Sequence, residues 1–207
     1  MDSQHFQPLA RADLPEETLD LARFLIGCTL VRVLADGARL ACRIVETEAY
    51  PPGDAAGHAY TGQTARNRSL FRERGFSYVY LAYGLAWCAN VSSGLAGVGS
   101  GVLLRAGEPL GGVADMARRR GAALGRPVRP LDITRGPGRL AQAMAIGREQ
   151  DGLDLCAGGG ELYLAGPRGA GEIGESVRIG ITKEAHRAWR FYERGNPHVS
   201  GRRALSP

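Results

Sequence analysis

The stretch Leu40-Ala41-Cys42-Arg43-Ile44-Val45-Glu46-Thr47-Glu48-Ala49-Tyr50 has the apolar density of an extended strand, whose side chains alternate between two faces. Strict alternation makes Leu40, Cys42 and Ile44 point the same way as Glu46, Glu48 and Tyr50. Carboxylates that continue an apolar face are unusual, because burying an ionised carboxylate without partners is costly. Groups so placed commonly have the shifted proton affinity that a general acid or base requires. The alternative is a strand that ends near Val45, with both glutamates in solvent or paired with arginines. On this stretch alone the alternative is the stronger reading.

Working outward, Cys28–Leu34 and Ala38–Tyr50 flank the turn Ala35-Asp36-Gly37 and form a hairpin. Upstream, Asp13, Pro15, Glu16 and Glu17 suit the start of a helix over 13–26, which Gly27 stops. Downstream lie a Pro/Gly/Ala-rich loop at 51–65 and strand candidates Phe76–Tyr83, Leu85–Val91 and Gly101–Ala106. Helices are expected at 111–124 and 137–146, strands at Glu161–Ala165 and Ser176–Thr182, and a short basic helix at 184–194. No repeat or long linker divides the chain. The expected fold is α+β: one compact domain over 1–207, a curved and mainly antiparallel sheet with surrounding helices, and flexible ends at 1–12 and 201–207.

Composition narrows the classes. The 207 residues are 44% hydrophobic and 23% charged, which excludes a disordered tail protein, a coiled coil and a disulfide-dense scaffold. No apolar run approaches the roughly 20 residues of a transmembrane helix. No basic segment followed by an apolar one opens the sequence, so a cytoplasmic location is expected, nucleoid-associated in a bacterium. Cys28, Cys42, Cys88 and Cys156 form no CxxC pair, and His5, His58, His186 and His198 form no HExxH; neither a metal nor a cofactor is expected. The net charge of +5 comes from 25 arginines and a single lysine, Lys183. It is concentrated in 64–74 (+3), 105–139 (+5) and 178–207 (+5), while 75–104 is uncharged. Three basic segments could converge as a phosphate footprint or simply be solvated surface.

Tyr78-Val79-Tyr80-Leu81-Ala82-Tyr83-Gly84 places Tyr78 and Tyr80 on one strand face and Tyr83 on the other, before a glycine that lets the chain turn. Aromatics at strand tips suit base stacking or insertion into a duplex, although tyrosine-rich strands are more often plain core. Asn90 and Arg105 are polar residues inside apolar strands and need partners, structural or substrate.

Taken together, Glu46-Thr47-Glu48-Ala49-Tyr50, His58-Ala59-Tyr60, Arg66-Asn67-Arg68-Ser69-Leu70-Phe71, Tyr78–Gly84, Asn90-Val91, Val102–Leu110, Gly136–Ala143 and Arg190–Ser200 resemble the alkyladenine (3-methyladenine) DNA glycosylase family of mammalian type. The blocks run in order from about Leu21 to Ser200. The resemblance implies a monofunctional base-excision enzyme for alkylated or deaminated purines (3-methyladenine, 7-methylguanine, hypoxanthine) in double-stranded DNA. It implies a monomer without membrane attachment, whose protruding β-hairpin enters the minor groove while the damaged nucleotide is flipped out. Glu48 matches the general base that activates water, and Arg105 the arginine that positions that water and the nucleotide. Tyr50, His58 and Tyr80 match the residues enclosing the base, and Asn90 the side chain that disfavours the 2-amino group of guanine. The carbonyl of Ile179 matches a further ligand of the water, and Tyr83 the intercalating wedge. Glu46 reads as supporting.

The chemistry agrees: an oxocarbenium-like sugar is stabilised by a nearby carboxylate, and hydrolysis needs no lysine for a Schiff base. The sequence departs from the family pattern in the Pro51-Pro52-Gly53 loop before His58, at the neutral Thr61 and Gln63, and at the small Ala86. Competing readings are a non-catalytic module binding damaged DNA or single-stranded nucleic acid, and a small-molecule enzyme on a related fold.

Overall fold

A computed structural model describes residues 6–166 and 169–201. Eight strands form one antiparallel sheet: β1 (Thr29–Val33), β2 (Arg39–Tyr50), β3 (Ser77–Ala82), β4 (Ala86–Ser92), β5 (Gly101–Gly111), β6 (Leu162–Ala165), β7 (Ile173–Ser176) and β8 (Arg190–Glu193). The main path runs β3-β4-β5-β2-β1-β6. β2 is long enough to hold two neighbours on one edge, β1 along its first half and β8 opposite Glu46–Glu48, while β5 covers the other edge. The helices are α1 (Thr18–Phe24), α2 (Val113–Leu124) and α3 (Pro137–Ala143). α1 packs on β2, α3 on β4 and β5, and α2 on α3. The main core collects Leu21 and Leu25 of α1, Leu40 and Ile44 of β2, Val102 and Leu104 of β5, and Leu140 of α3.

The expected alternation along β2 fails at one point, and the failure builds the site. Ile44 pairs with Gly107, Glu46 with Ala106 and Thr47 with Leu104, so Val45 is an extra residue on β2 and Arg105 an extra one on β5. Two compensating bulges reverse the phase of both strands. Leu40, Cys42 and Ile44 belong to the main core, but beyond the bulge it is Ala49 that joins them, and Thr47 donates from Oγ1 to the Ala22 carbonyl of α1 at 2.9 Å. Glu46, Glu48 and Tyr50 therefore turn to the opposite face. The strand does not end near Val45, and the glutamates are fully buried yet paired with arginine. Glycine at 107 permits the close strand approach here, since a Cβ would sit 2.5 Å from Cys42 Sγ.

Three expected elements need correction. The helix over 13–26 begins only at Thr18, because the Asp13 carboxylate closes a short 3-10 turn by accepting the Ala10 N–H at 2.8 Å, and Leu14 is extended. The strand placed at Ser176–Thr182 lies at Ile173–Ser176; Gly174 fits beneath the Tyr192 ring, where a Cβ would be 2.7 Å from Cζ. The basic helix over 184–194 is absent: Arg190–Glu193 is β8, with Arg190 and Phe191 wholly buried between β2 and β7. Of the segments expected to be flexible, residues 1–5 and 202–207 lie outside the described residues. Phe6 and Leu9 are buried, and Pro8 bridges Ala165. Among the described residues no helix is long and apolar enough to cross a membrane.

Candidate active site

The bulge brings two carboxylates onto one arginine. Glu48 Oε1 accepts the Ile179 backbone N–H at 2.7 Å and lies 3.1 Å from Arg105 Nη1. Glu48 Oε2 accepts the Tyr50 hydroxyl at 2.9 Å. Arg105 Nε donates to Glu46 Oε1 at 2.9 Å. Burial, the adjacent Glu48 charge and the hydrogen bond donated to Glu48 raise the Tyr50 phenol well above its ordinary value and keep it a hydrogen-bond donor. Arg105 stays charged: desolvation opposes this, but Glu48 and Glu46 outweigh it.

Above this pair opens a cleft of about 1050 Å³, lined by Tyr50, His58, Tyr78, Tyr80, Asn90 and Arg105 among others. Tyr78 and Tyr80 stack with centroids 5.5 Å apart, and the His58 ring stands edge-on to Tyr80 at 4.4 Å. His58 Nδ1 and the Tyr78 hydroxyl are 2.9 Å apart. Burial, reinforced by Arg66, lowers the His58 value from 6.5, which favours a neutral ring with one donor and one acceptor nitrogen. Burial pushes the Tyr78 phenol up to about 12 and the Tyr80 phenol higher still. Asn90 Nδ2 donates to the Tyr78 carbonyl at 3.0 Å, across the β3–β4 register. Asn67 sets the loop that presents His58, donating to the His58 and Gly62 carbonyls at 2.8 and 3.1 Å while accepting from the Thr64 N–H at 2.7 Å.

Seven of the residues singled out in the sequence meet here: Glu48, Arg105, Tyr50, His58, Tyr80, Asn90 and Ile179. Ile179 gives its amide N–H to Glu48, a contact beyond the one expected of its carbonyl with the water. Glu48 itself has no exposed surface and lies behind the cleft-lining Tyr50, Arg105 and Ile179. Tyr83, at the tip of the β3–β4 hairpin, lies on the rim of the same cleft and is 89% exposed, beside Leu85 at 87%. Tyr83 and Gly84 have φ of 51° and 71°, so a tyrosine holds a left-handed conformation that side chains seldom adopt. Ala86, just past the tip, packs where a Cβ on Gly138 of α3 would come within 2.8 Å; its small size brings helix and hairpin together.

Two residues escaped the sequence reading. Arg178 is buried, bonds both oxygens of Asp54 and the Ala49 carbonyl, and holds its guanidinium 4.6 Å from the Tyr50 ring centroid and 5.0 Å from that of Trp189. It ties the 51–57 loop to the segment that carries the Ile179 amide. Its signal was the one that marked Arg105: a lone charge between apolar residues, Val177 and Ile179. Among the described residues no cluster of three His, Cys, Asp or Glu side chains could hold a metal ion.

Buried acids sharing an arginine at the floor of an aromatic cleft make an enzyme-like site suited to a planar substrate. The family model for methylpurine-DNA glycosylase matches residues 12–197. A protein of Mesorhizobium japonicum, provisionally named a 3-methyladenine DNA glycosylase, is 56% identical over 199 residues, covering 96% of this chain and 92% of its own. Relatives with the same provisional name from Paraburkholderia phytofirmans and Methanocella arvoryzae are 47% and 45% identical, covering 96% and 89% of this chain and 90% and 92% of theirs. The class is thus that of the DNA glycosylases. Within it, the chain belongs to the methylpurine-DNA glycosylase family.

Proposed function

We propose that the protein removes alkylated or deaminated purines, of the 3-methyladenine, 7-methylguanine and hypoxanthine class, from double-stranded DNA as a monomer, in the cytoplasm or on the nucleoid. The observation that carries this reading is the Glu48 carboxylate, held by the Ile179 amide and Arg105 against the floor of the aromatic cleft. The damaged nucleotide leaves the stack and enters the cleft, where Tyr50 on one side and Tyr80 with His58 on the other enclose the base. Tyr83 fills the gap in the duplex. A cationic base such as 7-methylguanine gains cation–π attraction from these rings. Asn90 excludes unmodified guanine by meeting its 2-amino group.

In the reaction, Glu48 takes a proton from water as the water oxygen bonds to the sugar C1′ and the C1′–N bond breaks with its electrons going to the base. A cationic base leaves neutral, and an abasic sugar remains. Arg105 fixes Glu48 and the nucleotide, and the carboxylate charge favours the developing oxocarbenium ion. No amine nucleophile takes part, so the strand is left unbroken. The Tyr50 hydroxyl donates to Glu48 Oε2 in the free protein and leaves that oxygen a second lone pair for water.

Duplexes that each hold a single lesion test this reading. The expected result is release of the free purine, an intact abasic strand, and no borohydride-trapped covalent adduct. Tight binding of every lesion with no base release would instead favour the non-catalytic binding module.

A further inference from the structure

The proposed reaction uses Glu48 and leaves Glu46 without a stated duty. Glu46 is fully buried and takes four donors: Nε of Arg105 at 2.9 Å, Nε of Arg190 at 2.7 Å, and both the N–H and Oγ of Ser200, at 2.6 and 2.9 Å. Arg190, also fully buried, continues to Ser176 Oγ at 2.9 Å and the Ser200 carbonyl at 2.7 Å. One carboxylate thus gathers β5, β8 and the segment ending at Ser200, without lining the cleft. Buried ion pairs of this kind add little net stability over apolar packing, so stability alone accounts poorly for it. What distinguishes it is the shared arginine: with Nε on Glu46, Arg105 offers Nη1 to Glu48 in a fixed plane.

We infer that Glu46 is a positioning residue for the proposed reaction: it fixes the Arg105 guanidinium between the two acids and offsets the charges of Arg105 and Arg190 beside Glu48. This rests on the reading of Glu48 as the general base. The groups that face Glu48 are Tyr50 on its own strand, Arg105 from β5, Tyr80 from β3 and the Ile179 amide, with Arg178 behind the Tyr50 ring and Arg190 beyond Glu46. If Glu46 loses its charge, Arg105 and Arg190 act on Glu48 without that counterweight, and nearby cations disfavour protonation of a carboxylate.

The test is single-turnover release of 7-methylguanine against pH, because this cationic base leaves without needing a proton and the acid limb then reports the general base. Glu46→Gln is expected to move the acid limb down by about one pH unit and to lower the plateau rate about tenfold, with affinity for the lesion duplex unchanged. Arg190→Gln, which leaves Glu46 three of its donors, is expected to move the limb upward. A slower plateau with neither limb displaced overturns the inference, since a purely structural role would give that result. If Glu46→Gln does not fold, Arg190→Gln decides alone: an upward limb supports the inference and an unmoved limb overturns it. Release by Glu48→Gln at the wild-type rate overturns the underlying reading and the inference with it. An inactive Glu48→Gln beside unmoved limbs overturns only the inference.

Discussion

Arg178 and Asp54 show what a single residue pair does for this site. Both side chains are fully buried, and the pair ties the 51–57 loop, the Tyr50 ring and the Ile179 amide together. Asp54→Ala leaves a buried guanidinium without its carboxylate, so unfolding in urea is expected to reveal a loss of about 3–5 kcal/mol. A loss below about 1 kcal/mol would contradict the strut, being what an exposed pair contributes. At this scale the sequence was informative for Glu48, Arg105 and Asn90, each a polar residue in an apolar strand. It did not reveal which charges pair, Asp54 with Arg178 and Glu46 with Arg190, because the partners lie more than a hundred residues apart along the chain. Such pairings are made by tertiary contact, and no local spacing announces them.

Among the elements, the hairpins and long strands were legible, and the exceptions share a cause. Alternation describes β2 up to Ile44, where a bulge reverses it. The bulge depends on a matching extra residue in β5, which no reading of β2 alone contains. β7 and β8 are four-residue strands whose state is set by the neighbours that receive them, and a local reading of 184–194 sees only a charged, amphipathic segment. The β3–β4 hairpin was legible as two strand candidates, Phe76–Tyr83 and Leu85–Val91, about a turning glycine; the structure takes Tyr83 out of the strand and into the turn. Because Tyr83 is almost wholly exposed, Tyr83→Ala should leave the melting temperature within a degree or two while slowing excision from duplex DNA at least about tenfold. Unchanged excision from duplex would refute the wedge.

For the whole molecule, the fold class followed from strand density and the absence of linkers, but the sheet's path did not, because β8 is the last strand in sequence and yet pairs with the middle of β2. The charge distribution also gains a geometry. Arg66, Arg105 and Lys183, one from each basic segment, line the same cleft. Arg105 is already neutralised by Glu46 and Glu48, so phosphate contacts by Arg66 and Lys183 predict a log–log dependence of duplex affinity on salt with a slope of about −2 or steeper. A flat dependence would favour a small-molecule substrate. Base excision driven by Glu48 in the aromatic cleft is the proposal on which the other excision predictions depend. It is tested most directly by the single-turnover rate of Glu48→Gln against wild type on a duplex with one 7-methylguanine, at saturating protein and with lesion affinity measured alongside. The account predicts that the rate falls by about 100-fold or more while affinity stays within a few-fold; equal rates for the two proteins would contradict it.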